Sequence, residues 1–167
     1  MTKFRRAALA AVLAVTLPLA ACSRDDAAAP APASAPVPTA VGGGSDIVLS
    51  PLAAADIDAA ALPGELVCSF TGADGAVLLL ARGDVASDAP ALGVVKAAGH
   101  AERLAAPGGF GGMLRGATFA GRGMTVRIVL TGPPAGGGES PPRPATLGYR
   151  DADGAESAWP GQWTCGP

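Results

Sequence analysis

The sequence predicts an all-β domain over residues 65–167, built as a small antiparallel β-barrel or sandwich of seven or eight short strands. Three observations lead to this prediction. Apolar and polar residues alternate along short segments, turn signals separate these segments roughly every 8–15 residues, and no segment of this region has a convincing helical period. A cysteine also stands near each end of the region, which suits a disulfide that closes the fold.

Each strand is expected where an alternating or apolar run ends at a turn. Residues 66–71 alternate cleanly, and after a turn at residues 72–75 the next strand is more uniformly apolar. The clearest hairpin surrounds residues 121–123, because the apolar residues of its second arm all fall on one face. A loop rich in glycine and proline spans residues 132–144. The expected strands are residues 66–71, 76–81, 92–96, 101–105, 113–120, 124–131, 145–150 and 155–159, and residues 162–165 close the chain.

A transitional arm, residues 47–64, precedes this domain. Its first residues form a short strand or packed segment, since Ile47 begins an apolar run. A short helix is expected over residues 56–62, with Asp56 as its N-cap and Pro63 as its stop signal.

The cysteines divide into one near the N-terminus and two in the β-domain. Cys68 and Cys165 are expected to form a disulfide, which in the chain-entropy model stabilises the fold by about 4–5 kcal/mol. Two unpaired thiols are the alternative. Cys22 stands apart from both, in a different sequence context.

Residues 1–21 have the organisation of a secretory signal peptide, with basic residues first and an apolar run too short for a permanent membrane span. The segment Leu19-Ala20-Ala21-Cys22 resembles the lipobox of bacterial lipoproteins. The resemblance implies cleavage before Cys22, lipidation of its thiol, and anchoring to the membrane through that lipid. Because Ser23 rather than aspartate follows, it also implies the periplasmic face of the outer membrane of a Gram-negative bacterium. A cleaved signal with a chance cysteine is the alternative.

Residues 22–46 are expected to be the lipidated cysteine and a tether rich in alanine, proline and glycine. Proline-rich sequence extends by about 3.1 Å per residue, so the tether would hold the domain clear of the bilayer.

The charge balance argues against polyanionic partners. The chain has 12 basic and 14 acidic residues, and removal of the signal peptide takes three of the basic ones and leaves a formal net charge of −5. The remaining arginines are scattered singly along the sequence. Nucleic acid is therefore excluded as an expected partner, and anionic membrane surfaces are poor candidates.

No motif for catalysis or metal binding can be assembled. His100 is the only histidine, lies beside a glycine turn, and is expected to be solvated. No Cys-x-x-Cys or His-x-x-x-His spacing occurs, and no serine stands in a nucleophile elbow. We therefore expect no enzymatic activity, no catalytic residue, no metal and no cofactor.

Candidate binding residues come from turns and from aromatic side chains. Phe110 lies among four glycines, where it would be exposed on a mobile loop or packed over an open barrel end. Arg122 occupies the central hairpin turn. Trp159 and Trp163 either form a recognition patch or cover the disulfide and the barrel mouth.

The layout resembles the membrane-bound inhibitors of c-type lysozyme. The shared features are the lipobox, the tether, a cysteine in an early strand, a closing Thr164-Cys165 and the hairpin at residues 117–126. The resemblance implies a small periplasmic β-barrel. The segments by which that family enters lysozyme have no clear counterparts here. The expected function is a non-enzymatic, lipid-anchored binding module for a periplasmic protein or envelope component, such as lysozyme. The alternative is a structural or accessory lipoprotein of an envelope assembly.

Overall fold

The computed structural model describes residues 39–41, as backbone only, and residues 46–167. The signal peptide, Cys22 and most of the expected tether lie outside these residues. The described elements are β1 (Thr39–Val41), β2 (Leu49–Ser50), α1 (Ala54–Ala60), β3 (Leu66–Gly72), β4 (Val77–Gly83), β5 (Ala91–Ala97), β6 (His100–Ala106), α2 (Gly109–Met113), β7 (Thr118–Gly121), β8 (Met124–Leu130), β9 (Arg143–Arg150) and β10 (Glu156–Gly166).

Strands β3 to β10 form a closed, eight-stranded antiparallel barrel. Each strand pairs with the next, and β10 pairs with β9 on one edge and with β3 on the other. Closure removes the free edges that an open sheet would leave. The predicted all-β class is confirmed, and of its two expected forms the barrel is the one observed.

The predicted disulfide is confirmed and lies at the seam of the barrel. Cys68 in β3 and Cys165 in β10 stand directly opposite each other in the register of the two strands. Their sulfurs are bonded at 2.09 Å across a sequence separation of 97 residues. The cross-link therefore joins the first and last strands of the barrel.

The barrel interior is filled by side chains that alternate along the strands. In β8, for example, Met124, Val126 and Ile128 are buried while Arg127 and Val129 are exposed. The largest fully buried side chains of this interior are Trp163, Phe70, Phe119, Leu79, Met113, Leu147, Val95, Val126 and Cys68. The interior of the barrel is therefore a packed hydrophobic core that side chains fill.

A second, smaller core lies outside the barrel. It is formed by Leu52, Ala60 and Leu62 of the arm against Val94 of β5, with Leu80 of β4 beside them. Both faces of β4 are therefore covered, which explains why the sequence there is more uniformly apolar than elsewhere.

The helix in the arm begins two residues earlier than the sequence predicts. Helix α1 has Ala53 as its N-cap and Asp56 inside its first turn. The Asp56 carboxylate accepts a hydrogen bond from the Ala53 backbone N–H at 2.9 Å, so it caps the helix from within. The same carboxylate pairs with the Lys96 ammonium of β5 at 2.9 Å, which fixes α1 to the barrel wall.

Helix α2 corrects two further expectations, a flexible connection around residues 108–112 and a strand beginning at residue 113. Instead, Phe110 and Met113 of this helix insert into one end of the barrel core, and β7 begins only at Thr118. We call this the plug end. Gly109, at a φ of +54°, lies so close to Asp84 and Ser87 that a side chain would collide with their carbonyl oxygens.

The hairpin turns gather at the opposite end, the turn end, because neighbouring strands are antiparallel. Arg122 and Gly123 connect β7 to β8 with φ values of +48° and +82°, the left-handed pair of a tight hairpin turn. The connection at residues 151–154 lies beside this turn, since a side chain at Gly123 would meet Ala152 at 3.0 Å.

The sequence predicts two separate segments at residues 155–159 and 162–165. The structure has one strand there, β10, which continues unbroken through Pro160. On the edge toward β3, residues 156–158 pair with β1 and residues 161–166 pair with β3. Pro160 falls between these two stretches, where its missing N–H costs no ladder hydrogen bond on that edge. Strand β1 itself lies within the segment predicted as tether, where no regular structure was expected.

Candidate functional site

Phe110 lies in the plug, so the expectation of an exposed aromatic side chain is wrong. It is only 9% exposed, because α2 turns its side chain into the end of the barrel. Phe110 instead packs over the end of the barrel, which is the alternative that the sequence left open.

Trp163 is also a core residue at this end. It is 1% exposed, its indole N–H donates to the Met113 carbonyl at 2.9 Å, and its ring meets Phe119 edge-on at 6.5 Å. Trp159 is half-buried and packs against the same core. The two tryptophans therefore cover the barrel interior and present no common aromatic patch to solvent.

Arg122 lies far from these aromatic residues, at the turn end. Its side chain is 76% exposed and pairs with Glu102 of β6 at 3.2 Å. His100 begins β6 at this end and is exposed, as predicted. The residues singled out in the sequence thus belong to opposite ends of the barrel and form no single site.

Tyr149 is the titratable core residue near the turn end. Its hydroxyl contacts the Met124 sulfur at 3.6 Å. Burial raises the pKa of Tyr149 above its ordinary value, and the negative charges of Asp151, Glu102 and Asp153 add to this effect. The phenol therefore stays protonated at neutral pH and offers no base for catalysis.

Within residues 39–41 and 46–167, no three His, Cys, Asp or Glu side chains are grouped to hold a metal ion. Over the same ranges, no helix has the length and apolarity that crossing a bilayer requires.

The outer wall formed by β7, β8 and β9 carries the most promising surface. The register places Arg127 opposite Gly148, and Gly148 opposite Ala158. These small residues leave a shallow groove of about 340 Å³ whose walls include Arg127 and Arg150. A second groove of about 370 Å³ shares Arg127 and extends to Arg115.

We call this surface the arginine face and define it by Arg115, Arg127, Arg150, Leu114 and Val129. The two apolar members are 45% and 42% exposed, for Leu114 and Val129 respectively. They are two of the four large apolar side chains that are exposed in the described part of the chain. Guanidinium groups beside exposed apolar side chains are typical of a binding surface.

The electrostatics of this face are only partly compensated. Arg150 pairs with Glu156 at 3.5 Å, and both side chains are well exposed. Arg115 and Arg127 form no salt bridge with any carboxylate of residues 46–167. Two guanidinium groups are therefore free to meet an anionic group.

Sequence reasoning missed this face, although one signal was present. The alternation along this strand puts Thr125 and Arg127 on its outer face, but it does not show that Gly148 forms the floor of a groove. Finding it requires the register between β8 and β9, which a single strand does not contain.

Comparison with known proteins adds no relative, since no protein-family model, curated protein or solved structure matches this chain. The fold and surface define a class: a closed, disulfide-bonded antiparallel barrel with a filled interior, a helical plug and a cationic outer face.

Proposed function

We propose that this protein is a lipid-anchored lipoprotein of the outer membrane whose barrel is a non-enzymatic binding module in the periplasm. The observation that carries the proposal is the filled barrel with its grooves on the outside. A core packed with Trp163, Phe70 and Phe119 leaves binding to the outer surface.

The anchor and the compartment rest on two further observations. The lipobox at Leu19-Ala20-Ala21-Cys22 supports lipidation of Cys22. The Cys68–Cys165 bond supports an oxidising compartment, because disulfides persist in the periplasm and are rare in the cytosol.

Mass spectrometry of the protein from bacterial membranes tests the anchor. We expect a mature chain that begins at Cys22 and carries acyl chains, because the predicted signal peptide ends at Ala21. The Cys22→Ala variant should lose the lipid mass and the outer-membrane location, whereas Cys68→Ala should keep both. An unmodified Cys22 in the wild-type protein would contradict the anchor.

Cross-linking in intact cells, followed by copurification of the acylated protein, tests the binding role. Recovery of a periplasmic or envelope component supports a binding module, and loss of that component in the Arg127→Gln variant would locate the contact. A fixed stoichiometric complex that withstands this substitution would instead favour the accessory role in an envelope assembly.

Lysozyme is the first partner to test, because of the resemblance to the membrane-bound inhibitors. The purified domain should slow hydrolysis of cell walls by c-type lysozyme if it shares their activity. Undiminished hydrolysis at micromolar protein would exclude lysozyme and leave the anchor and the binding role to the tests above.

A further inference from the structure

Arginines that are scattered in the sequence are gathered by the fold. Residues 46–98 contain seven acidic and two basic side chains, whereas residues 99–150 contain two acidic and six basic ones. The second stretch forms β6 to β9, four neighbouring strands of the barrel. The barrel therefore has an acidic side, which carries α1, and a basic side, β6 to β9, at whose edge Asp151, Asp153 and Glu156 lie.

The arginine face is the part of this basic side that lies open to solvent. Arg127 belongs to β8, which is diametrically opposite β4 in the eight-strand order. Exposed Val129 lines the same groove as Arg115 and Arg127, and exposed Leu114 directly precedes Arg115 in the chain. Apolar side chains flanked by cations are the combination by which proteins rest on an anionic membrane surface.

The chain that leads toward Cys22 joins the barrel next to this face. In the register, Arg127 of β8 stands opposite Gly148, Gly148 opposite Ala158, and Ala158 opposite Thr39 of β1. Adjacent strands are about 4.8 Å apart, so β1 lies about 14 Å from β8 across the same sheet. The 16 residues between Cys22 and Thr39 reach at most about 58 Å.

We propose that the arginine face docks on the anionic headgroups of the membrane to which the chain is anchored. The proposal rests on the lipid anchor of the proposed function. The anchor keeps the domain within reach of the bilayer, so a weak surface affinity is enough to orient it. Docking through β7 to β9 would turn the acidic side of the barrel toward the periplasm.

This inference revises the expectation that anionic membrane surfaces are poor partners. That expectation depended on the spacing of arginines along the sequence, and the fold places Arg127 between two grooves, one shared with Arg115 and the other with Arg150. Membrane headgroups are favoured over an acidic protein because the tether enters beside this face and because exposed apolar side chains accompany the charges.

Sedimentation with lipid vesicles tests the proposal without the anchor. The chain from Ser23 to Pro167 contains the disulfide and both cores, so it retains the contacts that hold the barrel. It should bind vesicles that contain phosphatidylglycerol and should bind pure phosphatidylcholine vesicles much less. Binding should weaken as salt is added, since salt screens exposed charges.

Matched variants then locate the contact. Arg127→Gln should lower the partition coefficient about five-fold, the effect of one cation near an anionic surface. Arg82→Gln removes the same charge from the exposed position of β4, on the opposite wall, and should have little effect. Likewise Val129→Ser should weaken binding more than Val48→Ser, although Val48 is the more exposed of the two at 57%.

Equal affinity for the two kinds of vesicle would overturn the proposal, as would equal losses from Arg127→Gln and Arg82→Gln. Retention of an acidic protein by this face, with no vesicle binding, would also overturn it. Mass spectrometry of Cys22 distinguishes the failure of this proposal from the failure of the anchor. If Cys22 is acylated and the barrel does not bind vesicles, only the docking is refuted. An unmodified Cys22 with vesicle binding intact refutes only the anchor.

Discussion

Gly161 lies where β10 passes close to β3. A side chain at this position would meet the Thr71 carbonyl oxygen and would lie 2.6 Å from the ring of Phe70, which is fully buried. The neighbours are backbone and a packed aromatic ring, so neither can move aside cheaply. Only glycine therefore fits at position 161 while β10 stays paired with β3.

Gly161→Ala should destabilise the barrel by about 1–3 kcal/mol, the usual cost of forcing extra volume into a packed site. Urea unfolding followed by circular dichroism measures the change. Gly137→Ala is the matched control, because nothing lies within 4 Å of a side chain at Gly137. Equal stability of the two variants would contradict the close approach.

Asp56 is the second residue with a defined physical consequence. The pKa of its carboxyl lies below the ordinary value, first because of the hydrogen bond from the Ala53 N–H and then because of Lys96. A lowered folded-state pKa means that the ionised group stabilises the fold above about pH 4, and this contribution is lost as the pH falls through the folded-state pKa.

Lys96→Gln should raise the pKa of Asp56 toward its ordinary value without fully restoring it, because the Ala53 hydrogen bond remains. An NMR titration of the Asp56 carboxyl measures this shift. Arg82→Gln removes a cation that does not contact Asp56 and should leave the titration unchanged. An unaltered Asp56 pKa in Lys96→Gln would show that the ion pair does not hold α1 in solution.

At the scale of elements, α2 depends on its surroundings. Its sequence, Gly109-Phe110-Gly111-Gly112-Met113, has three glycines in five residues, and glycine is among the poorest helix formers. The plug is held instead by the burial of Phe110 and Met113 and by the hydrogen bond from Trp163. Tertiary contact here overrides local preference.

Trp163→Phe should destabilise the protein by about 1–3 kcal/mol, because the core loses the volume of a buried indole and the Met113 carbonyl keeps only its hydrogen bond from the Gly116 N–H. Thermal or urea unfolding measures the loss. Trp159→Phe removes an indole from a half-buried side chain that makes no hydrogen bond within the described residues, so it should cost less. A larger loss from Trp159→Phe would contradict the role assigned to the plug.

At the scale of the whole molecule, stability depends on closure. The two edges of β10 meet β9 and β3, and the disulfide fixes the second of these pairings. Cross-linking residues 97 apart restricts the unfolded chain strongly, because the loop that it closes contains most of the domain.

The double variant Cys68→Ala/Cys165→Ala should lose about 4–5 kcal/mol of unfolding free energy, as the chain-entropy model predicts for a loop of this length. Denaturant unfolding of the oxidised wild type and of the double variant measures the difference. Addition of a reductant should affect only the wild type. A loss near zero would mean that strand pairing alone holds the seam closed.

Alternation of apolar residues let the sequence predict most strands of the barrel. The hairpin at Arg122 and Gly123 and the pairing of Cys68 with Cys165 could also be anticipated, because their signals lie in short segments or in the count of cysteines. The start of β7 could not be predicted, because the residues before it form the plug helix and a turn at Gly116, whose φ is +88°.

The surroundings of the candidate binding residues were harder to predict than the strands, for a physical reason. Phe110 stands among glycines, which in sequence indicates an exposed loop, but its large apolar ring gains more free energy in the end of the barrel. Arg127 and Arg150 are 23 residues apart and become neighbours only through the register of β8 and β9.

By itself, the sequence determined the fold class, the turn positions and the cross-link, because these follow from local periodicity, turn chemistry and the number of cysteines. Only the tertiary structure decided that the sheet closes into a barrel, that α2 plugs one end, and that the arginines share one wall. Those features depend on which strands become neighbours, and strand neighbours are chosen by packing across the whole domain.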